Sequence, residues 1–181
     1  MSYLIRAVDP EKDAQRLVDI YNPYIEKTTI TYEYDKLTRE QFLERINSIV
    51  KDYPYIVIEN EDEVIGYAYA SSFNERAAYQ WDADLAVYLD MDKKGKGAGS
   101  LIFGKLLDIL TNMGFINAYS LIDIPNNASE ALHKKFGFTK TGTYDHSAWK
   151  FNKWLDMGIY SKCLSDSSEP KNIDHDWKKY V

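Results

Sequence analysis

A single cysteine, Cys163, stands among 181 residues. One thiol excludes an internal disulfide and any multi-thiolate metal site, and its place in a late apolar run reads as a small hydrophobe. Histidine is nearly as scarce. His133, His146 and His175 are too scattered for metal-ligand spacing, so no metal is expected. No run of about 18 apolar residues could span a bilayer, and Met1 to Asp9 carries no positively charged, apolar leader. No membrane partner is expected, and the cytoplasm is the default location. Basic residues are the minority, 22 Lys and Arg against 28 Asp and Glu. The net charge of -6 argues against nonspecific nucleic-acid binding, while a local basic turn can still hold a small anion. No repeat or linker separates two cores. We expect one domain over residues 1–164, followed by a polar tail, 165–181, that is mobile unless Trp177 docks.

What the chain has in quantity is apolar and aromatic side chains, 45% and 14% of residues, enough for a packed core. The most informative stretch runs from Asp84 to Gly114. Leu85, Val87 and Leu89 alternate with Asp84, Ala86 and Tyr88, the pattern of a strand with one apolar face. Asp84 and Tyr88 share the other face. After Gly99, Phe103, Leu106, Leu107, Leu110 and Met113 recur three and four apart, which predicts a helix ending at Gly114. Between strand and helix lies K-K-G-K-G-A-G-S, Lys93 to Ser100. Glycines there let the backbone approach a ligand, and free N–H groups at a helix start attract anions. A P-loop is excluded because Leu106 stands where Ser or Thr must bind magnesium, and a dinucleotide fingerprint because Ser100 replaces its third glycine. From these residues alone, the turn is either a phosphate cradle or a solvated, lysine-studded connection.

Taken in order, Tyr3 to Val8 predicts a strand and Asp9-Pro10 the start of a helix running to about Tyr21, where Asn22-Pro23 should break it. A loop with a short helical turn follows over Tyr24 to Tyr34. Thr38 and Gln41 form a capping box for a helix burying Phe42, Ile46, Ile49 or Val50, and Tyr53. Tyr55 to Glu59 and Val64 to Ser71 read as a hairpin. A loop with Arg76 and Tyr79 leads to the central strand. Ile116 to Ile122 is a strand and Ala128 to Phe136 a short helix. Thr139 to Tyr144 and Met157 to Leu164 are the last strands, joined by a loop with Trp149 and Trp154. This order predicts an α+β domain, a mixed and mostly antiparallel sheet flanked by helices in three layers.

Lys94-x-x-Gly97-x-Gly99 resembles the acetyl-CoA signature of the GNAT family of N-acetyltransferases, and the element order matches the GNAT acyl-CoA N-acyltransferase fold. Segments at Tyr24 to Thr29, Gly66 to Ala70, Arg76 to Trp81 and Lys150 to Gly158 are similar to the phosphinothricin and methionine-sulfone N-acetyltransferase branch. The resemblance spans about Ile5 to Tyr160. It implies an acetyl-CoA co-substrate lying between splayed parallel strands, with its pantetheine along Val87, Tyr88 and Leu89. The pyrophosphate would rest on Lys94, Gly95, Lys96, Gly97, Ala98, Gly99 and Ser100, and Asn126 would contact the CoA arm. Asp84 stands where the branch carries a glutamate taken as general base, and His133 where a group protonates the departing thiolate. Arg76 matches a substrate-carboxylate clamp, and Tyr32, Tyr79 and Tyr88 match rings around a small amino-acid acceptor. A homodimer is also implied. Read without the resemblance, Asn126 is a turn residue, His133 a helix packing residue and the tyrosines core or interface rings.

Overall fold

The computed structural model describes residues 3–93 and 97–181. Among these residues seven strands form one sheet in the order β1-β2-β3-β4-β5-β7-β6, and only the β4/β5 pair is parallel. The strands are β1 (Tyr3–Ala7), β2 (Tyr55–Asn60), β3 (Glu63–Ser72), β4 (Asp82–Leu89), β5 (Asn117–Ile124), β6 (Thr139–Lys150) and β7 (Lys153–Cys163). The helices are α1 (Pro10–Lys27), α2 (Arg39–Ile49), α3 (Ala98–Met113) and α4 (Asn127–Lys135). The expected order and the mixed, mostly antiparallel sheet are therefore present. Among the described residues, no helix is long and apolar enough to cross a membrane.

Alternation along the strands divides the core in two. On one face Leu17, Tyr21 and Ile25 of α1 and Phe42 and Ile46 of α2 pack on Tyr55, Val57 and Tyr67. On the other, Ile102, Phe103, Leu106, Leu110 and Met113 of α3 pack on Ile56, Ile58, Ala68, Leu85 and Ile122. The capping box that starts α2 has both its Thr38 and Gln41 bonds, and Gly114 closes α3 in the left-handed region with φ 97°.

Two local expectations are corrected. First, α1 does not break at Asn22-Pro23 but continues one turn to Lys27. The carbonyl freed by the proline belongs to the exposed Asp19, and burial of Tyr21, Tyr24 and Ile25 holds the last turn against the sheet. Second, β6 and β7 extend into a tight hairpin in place of a loop. Phe151 and Asn152, at φ 50° and 57°, make a two-residue turn of the kind that matches strand twist, and Trp149 pairs across it with Trp154. For the tail the stated condition is met: Trp177 docks, and the end of the tail packs on the domain while residues 166–172 are exposed. Trp177 is 1% exposed and donates from Nε1 to Val50 O at 3.1 Å, while Asp174 N donates to Met113 O at 2.9 Å.

Candidate active site

The sheet is interrupted where its two parallel strands meet. β4 and β5 pair only at Asp82 with Asn117, Ala83 with Ala118 and Asp84 with Tyr119, and beyond that the strands diverge. β4 keeps its β3 partner as far as Leu89, so one edge of its second half lacks a strand neighbour. A cleft of about 480 Å³ continues from the gap towards the start of α3, lined by Val87, Leu89, Gly97, Gly99, Ser100, Asn126 and the α4 residues Ala128, Ala131 and Leu132. Six of the residues assigned to the co-substrate by resemblance thus share one wall system. Tyr88 borders the adjoining gap, and Ala98 is buried in the core, leaving only its backbone to the cleft. Lys94, Gly95 and Lys96 lie outside the described residues.

Gly97 caps α3 with φ 86° and offers no side chain to its N–H groups. A Cβ there would meet open space, so the left-handed backbone, not crowding, calls for glycine. At Gly99 a Cβ would lie 3.2 Å from Leu89 Cδ1 and would fill the cleft floor. Lys135 crosses the cleft from α4 to Ser100, with Nζ 3.0 Å from its Oγ.

Asp84 enters from the α1/α2 face. It sits diagonally across from Tyr69, since Ser71 opposes Asp84 and Tyr69 opposes Ala86. Its Oδ1 is buried with no hydrogen-bond partner among the described residues. Burial pushes the carboxyl up to about 6, only partly offset by the Leu85 N–H. The same face carries a cluster of tyrosines: Tyr88 stacks on Tyr67 at 5.4 Å and meets Tyr21 and Tyr24 edge-on at 5.0 and 5.2 Å between ring centres. Tyr24 Oη donates to Leu89 O at 2.6 Å and pins the end of β4.

His133 enters from the opposite face, on α4. It is 3% exposed and packed among Phe103, Phe138 and Tyr160. Its Nδ1 lies 2.8 Å from Ser129 O, and because a carbonyl only accepts, Nδ1 carries the proton. Burial lowers the imidazole pKa, so the ring is neutral near pH 7 and its unpartnered Nε2 is an acceptor. Such a ring has no proton to give from Nε2. Asn126 caps α4, its Oδ1 accepting from Ser129 N at 3.2 Å, so its amide group remains for a ligand.

The predicted acceptor-side residues are less tightly gathered. Tyr32 lies in the strap between α1 and α2, donating from Oη to Asp123 Oδ1 at 3.1 Å; Thr29 also donates to Asp123. Arg76 is exposed, with no side-chain ion pair among the described residues, and Tyr79 is 38% exposed with its ring against Phe73. Both belong to the turn that leads into β4. Sequence reasoning missed Tyr69, Lys135, Ser120 and Ser129. Strand alternation carried a signal for Tyr69 and, between Ala118 and Ile122, for Ser120; nothing in the spacing pointed to Lys135 or Ser129.

The family model described as an Acetyltransferase (GNAT) domain matches residues 5–159. The chain is 34% identical over 158 residues to a phosphinothricin N-acetyltransferase of Streptomyces coelicolor, covering 85% of this chain and 92% of that one. It is 26% identical over 149 residues to an L-methionine sulfoximine/L-methionine sulfone acetyltransferase of Pseudomonas aeruginosa, covering 80% and 86%. Among solved structures, a GNAT superfamily phosphinothricin acetyltransferase from Sinorhizobium meliloti in complex with AcCoA superposes with a TM-score of 0.91 at 28% identity, covering all of both chains.

Proposed function

The chain belongs to the GNAT acetyltransferase family, and from that premise we propose that it transfers the acetyl group of acetyl-CoA to the α-amine of a small amino acid. The acceptor class is phosphinothricin, methionine sulfone and methionine sulfoximine. The observation that carries this reading is the β4/β5 gap, open to the long cleft and lined by Tyr88 and His133, with the buried Asp84 Oδ1 at the last β4/β5 pair, where the gap begins. Relatives named for those acceptors support the substrate class.

Acetyl-CoA supplies the activated acyl group. Val87 to Leu89 offer it a strand edge that β5 leaves unpaired, the N–H groups after Gly97 suit its pyrophosphate, and the Asn126 amide faces its arm. An acceptor ammonium must lose a proton before its nitrogen can attack. A carboxyl titrating near 6 is a competent acceptor of that proton at neutral pH. Aspartate is one CH₂ shorter than glutamate and stands back by about 1.5 Å, near one C–C bond, which favours relay through a water. Attack is direct, and Cys163 lines neither the cleft nor the gap.

Arg76 serves as a bidentate clamp for the acceptor carboxylate. Its exposure leaves the acceptor side open in a single chain, and a second copy closes it. The surface for that copy is the β6–β7 hairpin, where Tyr144, Trp149, Phe151 and Trp154 are all about half exposed. The test compares thiol release by wild type with Arg76→Ala and Asp84→Ala. Loss of one bidentate pair should raise the acceptor KM about tenfold or more, and loss of the base should lower kcat by about 10²–10⁴. Unchanged kinetics in both variants would refute the assigned roles.

A further inference from the structure

The gap between β4 and β5 contains a cavity of about 70 Å³, lined by Val87, Ser120, Asn126, Ser129 and His133 among others. Two of these residues bring to it a buried polar atom with no hydrogen-bond partner among the described residues, Ser120 Oγ and His133 Nε2. Ser120 is 2% exposed and His133 3%. They lie on one side of the sheet: Ser120 follows the alternation of Ala118 and Ile122 towards α3 and α4, and its cross-strand neighbour Tyr160 packs near the His133 ring. Buried hydroxyl and imidazole groups almost always find partners, because each orphan costs stability. Two orphans beside one cavity in the reaction gap point to a ligand atom that completes both.

We propose that Ser120 and His133 together form the seat of the CoA sulfur, with Ser120 Oγ–H as hydrogen-bond donor and His133 Nε2 as acceptor. This rests on the acetyl-CoA reading above and revises the part of the histidine. With its proton held on Nδ1 by Ser129 O, His133 is not the acid that protonates the leaving group. As the nitrogen–carbon bond forms and the carbon–sulfur bond breaks, the bonding pair moves to sulfur, and Ser120 donates to the developing thiolate without losing its proton. The sulfur then takes the second proton given up by the attacking nitrogen, the first having left through Asp84. The resulting S–H donates to Nε2. Ser120 is accordingly a further catalytic residue, and the seat serves both the thiolate and the thiol.

Calorimetric titration of wild type and Ser120→Ala with CoA and with desulfo-CoA, in which hydrogen replaces the thiol, tests the proposal. Losing the donor to the sulfur, mostly a neutral thiol at pH 7, should weaken CoA binding about fivefold and more as rising pH ionises it, with desulfo-CoA affinity within about twofold of wild type. The melting temperature should not fall, since the variant removes an orphan hydroxyl and little volume. Equal losses for both ligands, or none for CoA, would overturn the assignment. Should Ser120→Ala fold poorly, Ser120→Cys keeps the volume with a weaker donor and should lie between the two for CoA alone. Failure of wild type to bind either ligand would instead remove the acetyl-CoA reading on which the seat depends.

Discussion

At about 6 the Asp84 carboxyl titrates just below neutrality because burial penalises its charge more than the Leu85 N–H favours it. Two consequences follow from that one shift, with opposite signs. For catalysis the ionised form is needed, so kcat/KM should rise with pH through about 6 and level off above it, as a pH–rate profile will read. For stability the folded value lies above the unfolded 3.8, so the favourable contribution of the protonated form is full below about 4 and is lost as pH rises through about 6. Asp84→Asn should therefore be nearly inactive yet more stable than wild type at pH 7.5, by about 2–3 kcal/mol from a two-unit shift. Urea denaturation at pH 7.5 and at pH 4 checks it, since the gain should vanish at the lower pH. A variant equally destabilised at both would place Asp84 in an ordinary structural role. His133, held neutral, should add no second limb to the profile near pH 7.

The elements that form the site were the legible ones. Alternation at Leu85, Val87 and Leu89 and the helical spacing from Phe103 to Met113 reported burial on one face, and both elements lie where those patterns put them. The capping box at Thr38 was equally readable, because both of its bonds are local. What local signals could not report was tertiary override. Pro23 breaks a helix only if nothing holds the next turn, and here Tyr24 and Ile25 are buried. Phe151-Asn152 lacks the glycine that marks a two-residue hairpin, so strand pairing between Trp149 and Trp154 was invisible in sequence. The last residues read as polar because their apolar anchors, Ile173, Trp177, Tyr180 and Val181, are scattered with no period, and backbone groups supply other contacts, such as Asp174 N to Met113 O. Trp177→Ala should cost about 3–5 kcal/mol, the range for truncating a buried aromatic. Its unfolding midpoint in urea should fall accordingly; a change below about 1 kcal/mol would mean that the tail adds little to the core. In the site, residues projecting from one strand were readable, whereas Ser120 beside His133 and Lys135 beside Ser100 exist only once strands and helices are assembled.

For the molecule as a whole, the proposed roles divide across the sheet, amine activation on the α1/α2 face and the sulfur seat on the α3/α4 face, with the β4/β5 gap between them. The exposed aromatic hairpin adds a claim about assembly. Light scattering should give twice the 21.0 kDa chain mass, and Trp154→Asp should shift it towards the monomer while raising the acceptor KM more than the acetyl-CoA KM. A wild-type mass of one chain would remove the second copy from the acceptor site. The most direct test of the account is free-thiol release from acetyl-CoA with phosphinothricin, methionine sulfone, methionine sulfoximine, ordinary amino acids and N-terminal peptides as acceptors. Turnover concentrated on the first three is the predicted result; turnover of peptides in preference to them, or of no acceptor at all, would contradict it.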